Sequence, residues 1–92
     1  MRRGEVWWYE PPDESPRPYL ILVRDEAIEV LNKLVAVPST RTIRGIPTEV
    51  ELGPEDGMPG QCALSIDNIT VVRKALLTQR IAGQLRATET AQ

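Results

Sequence analysis

The stretch "KLVAVPST", Lys33 to Thr40, decides the fold. It is short, almost wholly apolar and bounded by polar residues on both sides. A run of this length and composition reads as a strand buried on both faces, and therefore as a central one. Upstream, "RPYLILVR" is a second strand, with Pro18 at its first position where a missing N–H is tolerated. Between the two, "DEAIEVLNK" places Ala27, Ile28, Val30 and Leu31 at helix-like spacing, which predicts a short helical turn or an ordered loop. Further upstream, "GEVWWYE" is bulky and strand-forming, and "PPDESP" ends it. Trp7 and Trp8 are adjacent and so face opposite sides of that strand, one toward the core and one toward an interface or a ligand.

Downstream, "TRTIRGIP" is a polar loop, and "TEVEL" alternates as a strand with one wet face. "GPEDGMPG" is dense in turn residues, and "QCALSI" and "TVVRK" are two further strands around "DN". In the tail "ALLTQRIAGQL", Leu77, Ile81 and Leu85 recur at a spacing of four, which favours helix, while Gly83 weakens it. Five or six short strands separated by turns predict a mainly β chain with short helices, closed into a small, strongly bent barrel.

The 92 residues fit one domain, residues 1–92, and a core this small makes a homodimer reasonable. No apolar run approaches the roughly 18 residues of a membrane span, so no membrane partner is expected. The opening "MRRGEVWW" carries no hydrophobic signal region, which predicts a cytoplasmic protein. Cys62 is the only cysteine and there is no histidine. Those two facts exclude an internal disulfide and the Ser-His-Asp and Cys-His schemes, and they disfavour a zinc site. No phosphate-binding glycine loop is present, and no cofactor is expected. An enzyme built from this sequence has to work with Arg, Lys, Ser, Thr and carboxylates.

The net charge is −2, yet its signs are unevenly spread. Residues 68–88 hold Arg73, Lys74, Arg80 and Arg86 without one acid, and Arg41 and Arg44 form a second basic pair. Such patches serve either as solvated surface or as local sites for a polyanion. Arg17 stands apart because Pro16 and Pro18 flank it. Both prolines fix φ and limit the wander of the backbone. A guanidinium held in this way matches phosphate oxygens bidentately; the plainer role is an arginine that buries its stem and wets its head.

The order of segments adds what composition cannot. "RRGEVWW", "RPYLILV", "LVAVPST", "IPTEVEL" and "ALSIDNITVVRKALL", in that sequence, resemble the MazF/PemK family of toxin endoribonucleases over about residues 2 to 86. The resemblance implies an SH3-like barrel of the MazF/CcdB type, assembled as a homodimer. It implies cleavage of single-stranded RNA without a metal, and control by a cognate antitoxin whose acidic, disordered tail blocks the RNA groove. Carried over by motif position, the catalytic pair falls on Arg17 of "RP" and Thr40 of "PST". RNA-binding positions fall on Ser39, Arg41, Cys62, Asp67 and Asn68.

The loop "PPDESP" is shorter than in many relatives, so an RNA sequence preference does not carry over. Relatives also show a short strand near "TQRIAG", which competes with the helical periodicity of the tail. In the implied chemistry the RNA supplies its own nucleophile, the 2′-OH. Arg17 stabilises phosphoryl charge, Thr40 donates a hydrogen bond, and Asp13, Glu14 and Asp67 are candidates to accept the 2′-OH proton. Two other classes remain beside the ribonuclease: a CcdB-like toxin that poisons DNA gyrase without cutting anything, and an SH3-like protein-binding module.

Overall fold

The computed structural model describes residues 1–82. Its elements are β1 (Val6–Tyr9), β2 (Arg17–Ile21), α1 (Asp25–Ile28), β3 (Lys33–Thr40), β4 (Glu49–Leu52), β5 (Cys62–Ser65), β6 (Thr70–Arg73) and β7 (Leu77–Ala82), with single 3₁₀ turns at Pro54–Asp56, Ile66–Asn68 and Lys74–Leu76. All pairings are antiparallel, and the hydrogen-bonded path runs β4-β5-β3-β2-β1-β7 with β6 attached to β3. The sheet is bent but does not close on itself: among the described residues the path ends at β4 and β7. None of the helices is long and apolar enough to cross a membrane among those residues.

β3 is central, as its composition requires. Its first half, Lys33–Ala36, pairs with β6, and its last two residues pair with β5 through Ser39↔Leu64 and Thr40↔Ala63. The opposite edge pairs with β2 from Ile21↔Ala36 to Tyr19↔Pro38. One strand thus belongs to two layers, and the turn Ile66–Asn68 carries the chain from β5 to β6 along its edge. The period of two sorts side chains into two cores. Tyr19, Ile21, Leu34, Ala36, Val72 and Leu77 pack on one face with Ile28 of α1. Val6, Leu20 and Val37 pack on the other with Leu52, Met58, Cys62 and Leu64. Burial on both faces explains why β2 and β3 read as unbroken apolar runs.

The tail is strand where its spacing of four pointed to helix. β7 pairs with β1, with Val6 opposite Ala82 and Tyr9 opposite Leu77. Leu77 is buried in the first core and Ile81 packs against the second, on the opposite face, because two register shifts in the β1–β7 ladder change the phase between them. Pairing with an aromatic edge strand overrides the ambiguous local pattern. Gly83 and Leu85 lie outside the described residues.

The opening motif "RGEVW" is structural. Gly4 takes φ 90°, a left-handed value that suits glycine, and its N–H donates to Ile21 O at 2.8 Å. Glu5 is buried, at 6 % exposure. Its carboxylate accepts from Arg2 N at 2.8 Å and Trp7 Nε1 at 3.0 Å, and Arg80 stands 3.4 Å away. Burial pushes the Glu5 carboxyl up, but the hydrogen bonds from Trp7, Arg2 and Arg80 outweigh it and hold the pKa below the ordinary 4.5.

A depressed carboxyl pKa stabilises the fold above the unfolded value and loses that contribution as pH falls through the folded one. Glu5→Ala is therefore expected to cost about 2 kcal/mol at neutral pH, since it leaves buried donors unpaired. The gap to wild type should narrow below pH 4.5. Urea titrations of both proteins across that range check it; a gap independent of pH refutes the assignment.

Candidate active site

β2 starts at Arg17, and β3 ends at Thr40. Their antiparallel pairing brings these two ends together at one rim of the bent sheet. Arg17 is exposed and sits opposite Tyr9 of β1. Thr40 Oγ1 accepts from Thr42 N at 3.1 Å, so the residue closes a small turn and its hydroxyl proton is left to donate outward. Closing this turn is compatible with a ligand contact.

Ser39 lies between them and is buried, at 4 % exposure. Its Oγ donates to Pro18 O at 2.8 Å. The hydroxyl proton is thereby committed to Pro18, while Ser39 still lines both cavities at the rim. The branch in β3 sets this bond. The β2–β3 register ends at Tyr19↔Pro38, and Ser39 pairs its backbone with Leu64 of β5. The side chain alone carries the tie to β2 one step further, beside Arg17.

Two cavities flank this rim. The larger, about 700 Å³, is lined by Trp8, Arg17, Thr40, Arg41, Gln61 and Cys62 among others. The smaller, about 250 Å³, is lined by Arg17, Thr40, Thr42, Arg44, Ser65 and Asn68 among others. Arg17, Ser39, Thr40 and Thr42 are common to both. Of the other expected site residues, Arg41 and Cys62 line the larger cavity and Asn68 the smaller. Asp67 lines neither; its Oδ1 accepts from Ser65 Oγ at 3.2 Å, and Asn68 Nδ2 donates to the same hydroxyl at 2.9 Å. Asp13 and Glu14 also stay outside both cavities.

Cys62 is buried, and its thiol pKa is raised by that burial first and by Asp56 second. The thiol stays protonated at neutral pH and is no nucleophile. Trp7 packs against the core and binds Glu5, whereas Trp8 faces the larger cavity, so the two tryptophans divide as their alternation requires. Gln61 joins the site without having been singled out, and Arg44, which the sequence marks only as half of a basic pair, joins it too. For Arg44 the signal was a glutamate five residues on, Glu49, with Gly45 between, a spacing that closes a loop.

An open groove of guanidinium, hydroxyl and amide groups on a bent antiparallel sheet defines a small β protein suited to an extended anion. The chain belongs to the family of PemK-like, MazF-like toxins of type II toxin-antitoxin systems, whose model matches residues 2–92. It is similar to a Mycobacterium tuberculosis (strain ATCC 25618 / H37Rv) protein named "Probable endoribonuclease MazF5", 41 % identical over 80 residues, which cover 86 % of this chain and 73 % of that one. Among solved structures, M. tuberculosis toxin MazF-mt6 superposes with a TM-score of 0.82 at 28 % identity, over 95 % of this chain and 86 % of the other. An endoribonuclease from a mycobacterial species, in complex with its cognate antitoxin, gives a TM-score of 0.82 at 30 % identity over 99 % and 85 %. These likenesses favour neither the gyrase poison nor the plain SH3-like module.

Ser39→Ala leaves the Pro18 carbonyl without its side-chain donor, and the expected cost is about 1 kcal/mol of stability. A urea midpoint equal to wild type at unchanged slope would show that the bond contributes nothing.

Proposed function

We propose that this chain is a toxin endoribonuclease that cleaves single-stranded RNA and is neutralised by a cognate antitoxin. The observation that carries this is the convergence of Arg17 and Thr40, from two strands, on a rim shared by two cavities. Family membership supports the same reading.

Arg17 and Thr40 are the catalytic pair. The scissile phosphate lies at their junction; the neighbouring 2′-OH attacks phosphorus in line as the bond to the 5′ oxygen breaks, its proton passing to solvent water while the departing 5′ oxygen takes one up from water. Negative charge grows on the phosphoryl oxygens, and the Arg17 guanidinium offers its fork of N–H donors to them. Thr40 adds a hydroxyl donor. Arg17 remains protonated and so acts as electrostatic partner, not as base. Arg41, Asn68 and Trp8 line the path of the RNA, while Ser39 holds the rim beneath it. Because RNA carries its own nucleophile, no metal-bound hydroxide is needed, and the reaction proceeds without a metal.

The working unit is a cytoplasmic homodimer. An acidic, disordered segment of the antitoxin competes for the groove, since it too is extended and anionic.

Purified protein incubated with a long RNA in EDTA should cut it, leaving a 2′,3′-cyclic phosphate or 3′-phosphate and a 5′-hydroxyl. Loss of cleavage in EDTA with recovery in magnesium overturns the metal-free scheme. Arg17→Ala should lower the cleavage rate by roughly a hundredfold, the scale of losing one transition-state donor. Arg17→Lys should restore part of it, because the charge is kept and the fork is lost. Since Arg17 is exposed, both variants should melt like wild type; an Arg17→Ala protein that cuts at near the wild-type rate removes this residue from the mechanism.

A further inference from the structure

The loop between β3 and β4 carries Arg44, to which the cleavage chemistry gives no task. Glu49, the first residue of β4, turns its carboxylate back over this loop. Oε1 accepts from the backbone N–H groups of Arg44 at 2.8 Å and Gly45 at 3.1 Å, and Oε2 accepts from Arg44 Nε at 3.1 Å. Gly45 takes φ 68°, the left-handed value that lets two successive N–H groups converge on one oxygen. The Glu49 side chain is 1 % exposed and that of Arg44 is 51 % exposed. The carboxylate is thus committed to the loop. Glu49 takes only Nε of the guanidinium and leaves the two terminal nitrogens of Arg44 for another partner.

Arg44 lines the smaller cavity together with Arg17. The rest of the polar wall is Ser39, Thr40, Thr42, Ser65 and Asn68, none of them acidic; the Ser39 and Ser65 hydroxyls donate to Pro18 O and Asp67 Oδ1, which leaves the Thr40 and Thr42 hydroxyls and the Asn68 amide to donate into the cavity. We propose that this cavity is a phosphate subsite, in which Arg44, positioned by Glu49, takes the phosphodiester next to the one at Arg17 in a single-stranded RNA. The proposal rests on the ribonuclease reading above. A strand whose scissile phosphate lies at Arg17 and Thr40 must leave that point in two directions, and these two residues open onto both cavities. The larger cavity has Trp8 and Gln61, a wall suited to a base. The smaller offers guanidinium and hydroxyl donors, which suit phosphate oxygens and read no sequence. An acidic peptide is the rival occupant; RNA is favoured because the subsite shares both of its bond-breaking residues with the cleavage point.

The test uses the full chain and a 2′-O-methyl RNA of mixed sequence, which binds and is not cut. Arg44→Gln should weaken binding roughly tenfold. It should also make the slope of log affinity against log salt shallower by about 0.7, the value of one single-strand phosphate. Arg44→Lys should keep the wild-type slope, because the charge remains, with an affinity between the two. Melting temperatures of all three proteins are measured alongside, and the Lys variant carries the test if the Gln variant does not fold. Unchanged affinity and slope for Arg44→Gln, in a protein whose wild type cuts unmodified RNA, overturn the subsite alone. Weakened binding of an acidic antitoxin peptide with RNA affinity untouched assigns Arg44 to the peptide and likewise overturns it. A wild type that neither binds nor cuts RNA brings down the ribonuclease reading itself.

Discussion

The structure depends on the divided pairing of β3. One strand supplies the edge for β2 along one side and, along the other, first for β6 and then for β5. A strand cannot serve two layers without a bend, and at the bend the ladder to β2 stops. Pro18 and Pro38 both lie there, and neither has an N–H to donate. The gap is bridged by the Ser39 hydroxyl on the Pro18 carbonyl. Everything on the functional rim hangs from that junction: Arg17 one residue before Pro18, Thr40 one residue after Ser39, and the Asn68 turn beside them.

This layout explains how a marginal fold can display cations where it does. The two apolar clusters lie on either side of β2 and β3, below the rim, and neither contains an arginine. Arg17, Arg41 and Arg44 are exposed on or beside the strand ends, so their hydration is retained and no buried charge has to be compensated. The acidic partner in this region, Glu49, is used to shape a loop. The negative net charge of the chain therefore does not prevent a locally cationic groove.

Much of this was legible in the sequence, and the reasons differ by element. β2 and β3 were readable because burial on both faces leaves unbroken apolar runs. β1 was readable from its aromatics, and Arg17 from the two prolines around it. The tail pointed to helix because Leu77 and Ile81 stand four apart; the long-range pairing with β1 makes it a strand, and its register shifts send the two side chains to different cores. The tie from Ser39 to Pro18 was not legible, because it follows from the branch in β3, which no local pattern encodes. Arg44 was visible only as a charge, since its task depends on a carboxylate folding back across a turn.

The pairing of β1 with β7 has a consequence for how the chain is made. β1 finds β2 as soon as a short loop has been synthesised, but its other edge waits for a strand whose last residue is Ala82. Until then Trp7, Trp8 and Tyr9 sit on an open edge, and Arg80 has not reached Glu5. A nascent or truncated chain thus presents an aromatic strand border, the kind of surface on which other chains nucleate. Contacts of such large sequence separation also form slowly. The rim that would carry catalysis belongs to early strands, yet the sheet behind it is finished last, so the fold is complete only once Ala82 has been made.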